Sequence, residues 1–111
     1  MTPLDKDRIL QFRGGELHDR DGERLGKIEE IYLDAETREP QWALVHTGLF
    51  GTKRTFVPLR EASEADGELR VPLEQGTVKD APQIEANGQI SEAEETELHR
   101  HYGLEQSTPN E

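Results

Sequence analysis

Apolar positions are crowded toward the front of the chain and change period as it proceeds. Of the 24 Leu, Ile, Val and Phe residues, 19 lie between Ile9 and Val78, so the first three-quarters can build a core and the remainder is thin. Within residues 41–47 the alternation is clean: Trp42, Leu44 and His46 face one way, Ala43, Val45 and Thr47 the other, as a strand requires. "KRTFVPL" reads as a second strand ended by Pro58. Leu69, Val71 and Leu73 then alternate with Glu68, Arg70 and Pro72 after an Ala-Asp-Gly turn at 65–67. Residues 1–8 are polar and read as a loose lead-in or a short turn of helix. Asp21-Gly22 marks a hairpin turn. The segment between that turn and Asp34, "RLGKIEEIYL", is ambiguous: Leu25, Ile28, Ile31 and Tyr32 fit a helical face, whereas Ile31 and Leu33 alternate. The flanking Asp-Gly and the internal Gly26 favour a strand, with the shift of phase between Ile28 and Ile31 taken up by a β-bulge. "AETREP" is a polar turn, and the next strand begins after Pro40.

Beyond residue 74 the pattern changes. "EQGTVKDAPQIEANGQI" predicts loop with one helical turn near Val78. A helix over about 91–102 follows. Ser91 and Glu94 form a capping box, Glu92, Glu94 and Glu95 lie at the positive end of the dipole, and His99, Arg100 and His101 lie at the negative end. Gly103 is placed for a left-handed C-cap, with Leu104 able to fold back on Leu98. Leu98 and Tyr102, four apart, would dock the helix on the strands. The expected organisation is a β domain over 1–82 with its lead-in, a C-terminal extension over 83–104 packed on it, and a disordered tail over 105–111.

Charge sharpens this picture. The chain has 111 residues, no cysteine and a formal net charge of −11. Residues 83–111 contain seven acids and one base, Arg100. Phosphate binding is driven by Lys and Arg, so extended nucleic-acid contacts and anionic membranes are disfavoured. Without cysteine there is no disulfide framework, thiolate metal site or cysteine nucleophile. No apolar run reaches 18 residues and the N-terminus lacks a signal-peptide core, so a cytoplasmic protein without direct membrane insertion is expected.

Candidate chemistry is sparse. "DRDG" at 19–22 has the start of a calcium loop, yet Leu17 and Ile28 stand where ligands are needed, and a hairpin turn explains it. "GERLGK" is one residue short of a phosphate loop and opens a strand. His99 and His101, two apart on a helix, point to nearly opposite sides and cannot share a metal. His46 is read as a hydrogen-bonded histidine at the barrel edge. Glu29 and Glu30, adjacent on a strand, point to opposite faces. No nucleophile–base set is recognisable, so no catalytic, cofactor or metal residue is nominated. The exception to the acidic background is residues 41–60, "QWALVHTGLFGTKRTFVPLR", which contain no acid. Trp42, Leu44, Phe56 and Val57 are expected core. Leu49, Phe50, Lys53 and Arg54, on or beside a glycine-flanked loop, are the candidate partner-binding residues, because an apolar ring beside cations suits a binding patch. The acid they meet could belong to the C-terminal helix, to a second copy or to another protein.

"DRDGERLGKIEEIYLD", "PQWALVHTGLFGTKRTFVPL", "VKDAP" and "SEAEETELHRHYGL", in this order, resemble the bacterial PRC-barrel family, named for the cytoplasmic domain of photosynthetic reaction-centre H subunits. The resemblance runs from about Glu16 to Leu104. It implies a mainly β fold: a small antiparallel β-barrel of about five or six strands with a short C-terminal α-helix. It also implies functions seen in the family, where the barrel caps a membrane complex and supports proton movement toward a quinone, or makes protein contacts in a ribosome-maturation factor. The expected function is a non-enzymatic interaction or adaptor module binding a protein partner or itself, possible as a homodimer. The alternatives are an H-subunit-like accessory supporting electron or proton transfer at a membrane complex, and an enzyme whose site the sequence does not reveal.

Overall fold

The computed structural model describes residues 2–3, 6–34, 36–47, 53–82, 84 and 90–103. In chain order the elements are β1 (Thr2–Pro3), α1 (Lys6–Leu10), β2 (Glu16–His18), β3 (Arg24–Leu33), β4 (Pro40–Thr47), β5 (Lys53–Pro58), β6 (Ser63–Ala65), β7 (Glu68–Arg70), α2 (Gln75–Lys79) and α3 (Glu92–Tyr102). The strands form one sheet in the order β1-β6-β7-β2-β3-β4-β5. No pairing among the described residues joins β1 to β5, so the barrel-like sheet is not closed. All its pairings are antiparallel except β2 with β7. A parallel neighbour needs a long connection, which the β3–β4–β5 meander supplies. No helix among the described residues is long and apolar enough to cross a membrane.

The β2–β3 hairpin organises itself. The Asp19 carboxylate, in a residue only 2% exposed, accepts hydrogen bonds from the Asp21 and Glu23 amides at 2.9 and 2.8 Å. The first acid of "DRDG" is therefore committed to its own turn. In β3 the register with β4 runs Ile28↔Val45 and then Glu30↔Leu44, leaving Glu29 as the extra residue of a bulge. Both Ile28 and Ile31 thereby stay buried, which a regular two-residue period would forbid. Gly26 is required by proximity: a Cβ there would lie 1.9 Å from the His46 carbonyl oxygen.

Cross-strand rows show how the core is assembled. Leu69, Leu17 and Gly26 form one row, Ile28, Val45 and Thr55 a second, and Ile31, Ala43 and Val57 a third. All are buried. Two hydroxyls are tolerated in this interior because Thr47 Oγ1 and Thr55 Oγ1 bond one another at 2.9 Å. The opposite face of β3–β5 is also apolar over half its length. Its rows are Glu30–Leu44–Phe56 and Tyr32–Trp42–Pro58, and Trp42, Leu44 and Phe56 are each no more than 2% exposed.

The C-terminal helix contributes the cover. Ser91 and Glu94 complete the capping box, and Gly103, at φ 74°, closes the other end in the left-handed conformation. Leu104, expected to fold back on Leu98, lies outside the described residues, as does the tail. His99 stacks on Trp42 with ring centroids 5.5 Å apart and planes 24° from parallel. Tyr102 lies 6.4 Å from the same indole, and its hydroxyl donates to the Phe56 carbonyl at 2.7 Å. The Gln41 amide donates to Glu95 at 2.6 Å, and His101 Nε2 bonds the Thr77 carbonyl at 2.7 Å, linking α3 to α2. Leu98 is fully buried. One edge carbonyl of β5 is thus protected: Leu59 N–H bonds Gln41 O, so by alternation the Phe56 carbonyl points to the other edge, where Tyr102 caps it. Pro58 offers no N–H there.

Two predictions follow from these contacts. Gly26→Ala forces β3 away from the His46 carbonyl and is expected to cost about 3 kcal/mol, measured as a lowered denaturation midpoint with unchanged m-value. Burial pushes the Tyr102 phenol above its ordinary value, so the stability carried by the neutral hydroxyl is complete below a tyrosine's usual pKa of about 10 and is lost as pH rises beyond it. Tyr102→Phe is expected to be about 1 kcal/mol less stable at neutral pH and to show a shallower loss of stability between pH 10 and 12, about the range where tyrosines titrate, in denaturant titrations.

Candidate interaction surface

The outer face of β3–β5 divides at Leu44. One half is occupied by the chain's own α3. The other half carries the row Lys27–His46–Arg54, in which Lys27 and Arg54 are exposed. These outward cations follow from simple alternation, since Ile28, Val45 and Thr55 point inward. Lys53, paired with Thr47, is exposed at the start of β5 on the face that carries Thr55.

Glu29 organises this half. The bulge frees it from pairing, and its carboxylate receives a bidentate pair from Arg54 (Nε at 3.0 Å, Nη2 at 2.7 Å) and a contact from His46 Nε2 at 2.9 Å. The Arg54 hydrogen bonds hold the Glu29 carboxyl below its ordinary range, and the same bonds raise the Arg54 guanidinium. The side chains of Arg54 and Glu29 remain 44% and 34% exposed, so the pair adds little to stability. Its consequence is geometric: a long, mobile side chain is held in one orientation over the sheet. Beside it, a shallow recess of about 660 Å³ is lined by Arg13, Glu29, Glu30, Leu44 and Arg54 among others, with Arg13 paired to Glu30 at 2.7 Å.

Of the residues singled out by sequence, Lys53 and Arg54 are both exposed at the start of β5, and Arg54 is the one on the outer face beside His46. Leu49 and Phe50 lie outside the described residues. The acid that meets Arg54 is Glu29 of β3. Sequence reasoning missed Glu29 and Lys27 as members of the patch. The phase shift between Ile28 and Ile31 was the available signal, because whichever residue a bulge expels must turn its side chain elsewhere. His46 is hydrogen-bonded at the sheet surface as expected. His99 and His101 diverge, one to Trp42 and the other to Thr77. Among the described residues no group of three His, Asp or Glu side chains is placed to hold a metal ion.

A second concavity, of about 570 Å³, lies at the other end of β4, between the β3–β4 turn, the β5–β6 connection and α3. Trp42, Arg60 and His99 are among its lining residues.

Known proteins place this architecture. No curated protein gives a significant match to the chain. The family model for the PRC-barrel domain matches residues 5–78, a span that takes in every strand from β2 to β7 together with α1 and all but the last residue of α2. By that match and by its curled, mainly β sheet, the chain belongs to the PRC-barrel family.

Proposed function

We propose that this PRC-barrel protein is a non-enzymatic interaction module that binds a protein partner, or a second copy of itself, through the open half of the β3–β5 face together with residues 48–52. The observation that carries the reading is the division of one face into two halves. The half bearing Trp42, Leu44 and Phe56 already holds a helix, while the half bearing Lys27 and Arg54 is open, with Arg13, Glu29 and Glu30 at its recess. In a chain of net charge −11, three bases beside two acids depart locally from the overall acidity. The sequence that continues from it, through Leu49 and Phe50, is free of acids.

Such a surface suits an acidic partner segment. Fixed cations steer association and set specificity, and aromatic anchors supply most of the affinity. The Glu29–Arg54 pair supports this use, because a guanidinium already held in place loses less conformational entropy on binding. The family context agrees, since PRC-barrel domains are generally non-catalytic.

The test leaves the Glu29–Arg54 pair intact. A Lys27→Glu, Phe50→Ala, Lys53→Glu variant is compared with wild type in affinity capture and in sedimentation velocity, with circular dichroism as the fold control. A partner, or a self-association, present in wild type is expected to weaken at least tenfold in the variant, on the order of 1.4 kcal/mol or more. It should also weaken with added salt. Equal recovery and an equal sedimentation profile for the two proteins would remove this surface from consideration.

A further inference from the structure

The concavity at the far end of β4 is built differently from the patch above. Asp34 and Glu39 line it from the β3–β4 turn, the half-buried Pro40 from the start of β4 and Arg60 from the β5–β6 connection, with Trp42 and Leu59, each no more than 2% exposed, behind them. His99 of α3 closes the side. These segments are distant in sequence and converge only through the β3–β4 and β4–β5 pairings.

The charges at this site are of opposite sign and do not neutralise one another. Arg8, Arg13, Arg20, Arg24, Arg54 and Arg70 are all paired with carboxylates. Arg60, on the same acid-rich molecule, has no ion-pair partner among the described residues, and the same holds for Asp34 and Glu39. Asp34 is also held ionised: its Oδ1 accepts the Glu36 and Thr37 amides at 2.8 and 2.9 Å, and those bonds, Thr37's first, lower its pKa. The lining thus combines fixed negative charge from the turn with the positive charge of Arg60, and Pro40 adds apolar surface to it.

We propose that this cleft binds a small zwitterion with an apolar body, an apolar α-amino acid or a short apolar peptide, its carboxylate toward Arg60 and its ammonium toward Asp34 and Glu39. A volume of about 570 Å³ falls within the range of small-molecule sites, about 300–1,000 Å³. The need for both charges excludes simple amines and simple carboxylates as equal ligands, because each leaves one sign of charge unpaired. The site lies at the opposite end of β4 from Lys27 and Arg54, so it stands or falls independently of the protein-binding surface.

Trp42 is the only tryptophan in the chain and lines the cleft, so its fluorescence reports occupancy directly. Titrations with L-leucine, leucyl-leucine and N-acetyl-L-leucinamide are followed by fluorescence and by calorimetry. One or both zwitterions are expected to saturate with a Kd of about 1 mM or tighter, and the uncharged analogue to bind at least tenfold more weakly. Tighter binding of leucine identifies a free amino acid, and tighter binding of the dipeptide identifies a peptide. Arg60→Gln and Glu39→Gln, both at exposed positions, are expected to weaken binding at least fivefold with unchanged melting temperature. Absence of saturation up to about 10 mM, equal binding of the uncharged analogue, or undiminished binding by both variants would overturn the proposal.

Discussion

Burial of β4 on both faces is the constraint around which the molecule is arranged. A strand at a protein surface ordinarily turns one face to the core and the other to water. Here Ala43 and Val45 fill the interior of the curled sheet, while Trp42 and Leu44 are equally buried on the other side. A second apolar face demands a second cover, and a 111-residue chain has little material to provide one. The C-terminal helix meets that demand with a stacked histidine, a capped carbonyl and two buried side chains. Full burial of side chains as large as Trp42 and Phe56 stabilises by about 1.5–3 kcal/mol each, which exceeds what the exposed ion pairs of the surface can contribute. The helix is therefore integral to the fold, although it lies beyond the residues that match the family model.

The same constraint explains why the stretch 41–60 is free of acids. A carboxylate among Trp42, Leu44, Phe56 and Val57 would be buried without a partner, a cost far greater than that of a surface substitution. The absence of acids across the strands needs no binding partner to explain it. What the core does not demand is Lys53 and Arg54 at the exposed end of β5, or the absence of acids from the residues that precede them. The functional reading rests on that remainder, together with Lys27 brought alongside by strand pairing.

The bulge at Glu29 links packing to surface chemistry. It exists because Ile28 and Ile31 must both point inward although they stand an odd number of positions apart. Its by-product is a carboxylate released from the ladder at the position where His46 and Arg54 converge. One local irregularity thus keeps the interior filled and fixes the direction of a surface arginine. Gly26, two residues before Ile28, lets β3 approach the His46 carbonyl closely enough for this register to form.

Much of the architecture was legible in residue order because it depends on local rules. Alternation in 41–47, the turns at Asp21-Gly22 and Asp66-Gly67, the capping box at Ser91 and the left-handed Gly103 each involve residues within a few positions of one another. The bulge was visible too, as a slip of phase between Ile28 and Ile31. Contacts between distant segments could not be read this way. That Glu29 rather than the acidic C-terminal helix meets Arg54, that β2 and β7 pair in parallel, that His99 covers Trp42, and that Arg60 and Asp34 line one cleft all depend on how strands register across the sheet. Local periodicity states which way a side chain points; only the closed set of long-range pairings decides what stands opposite it.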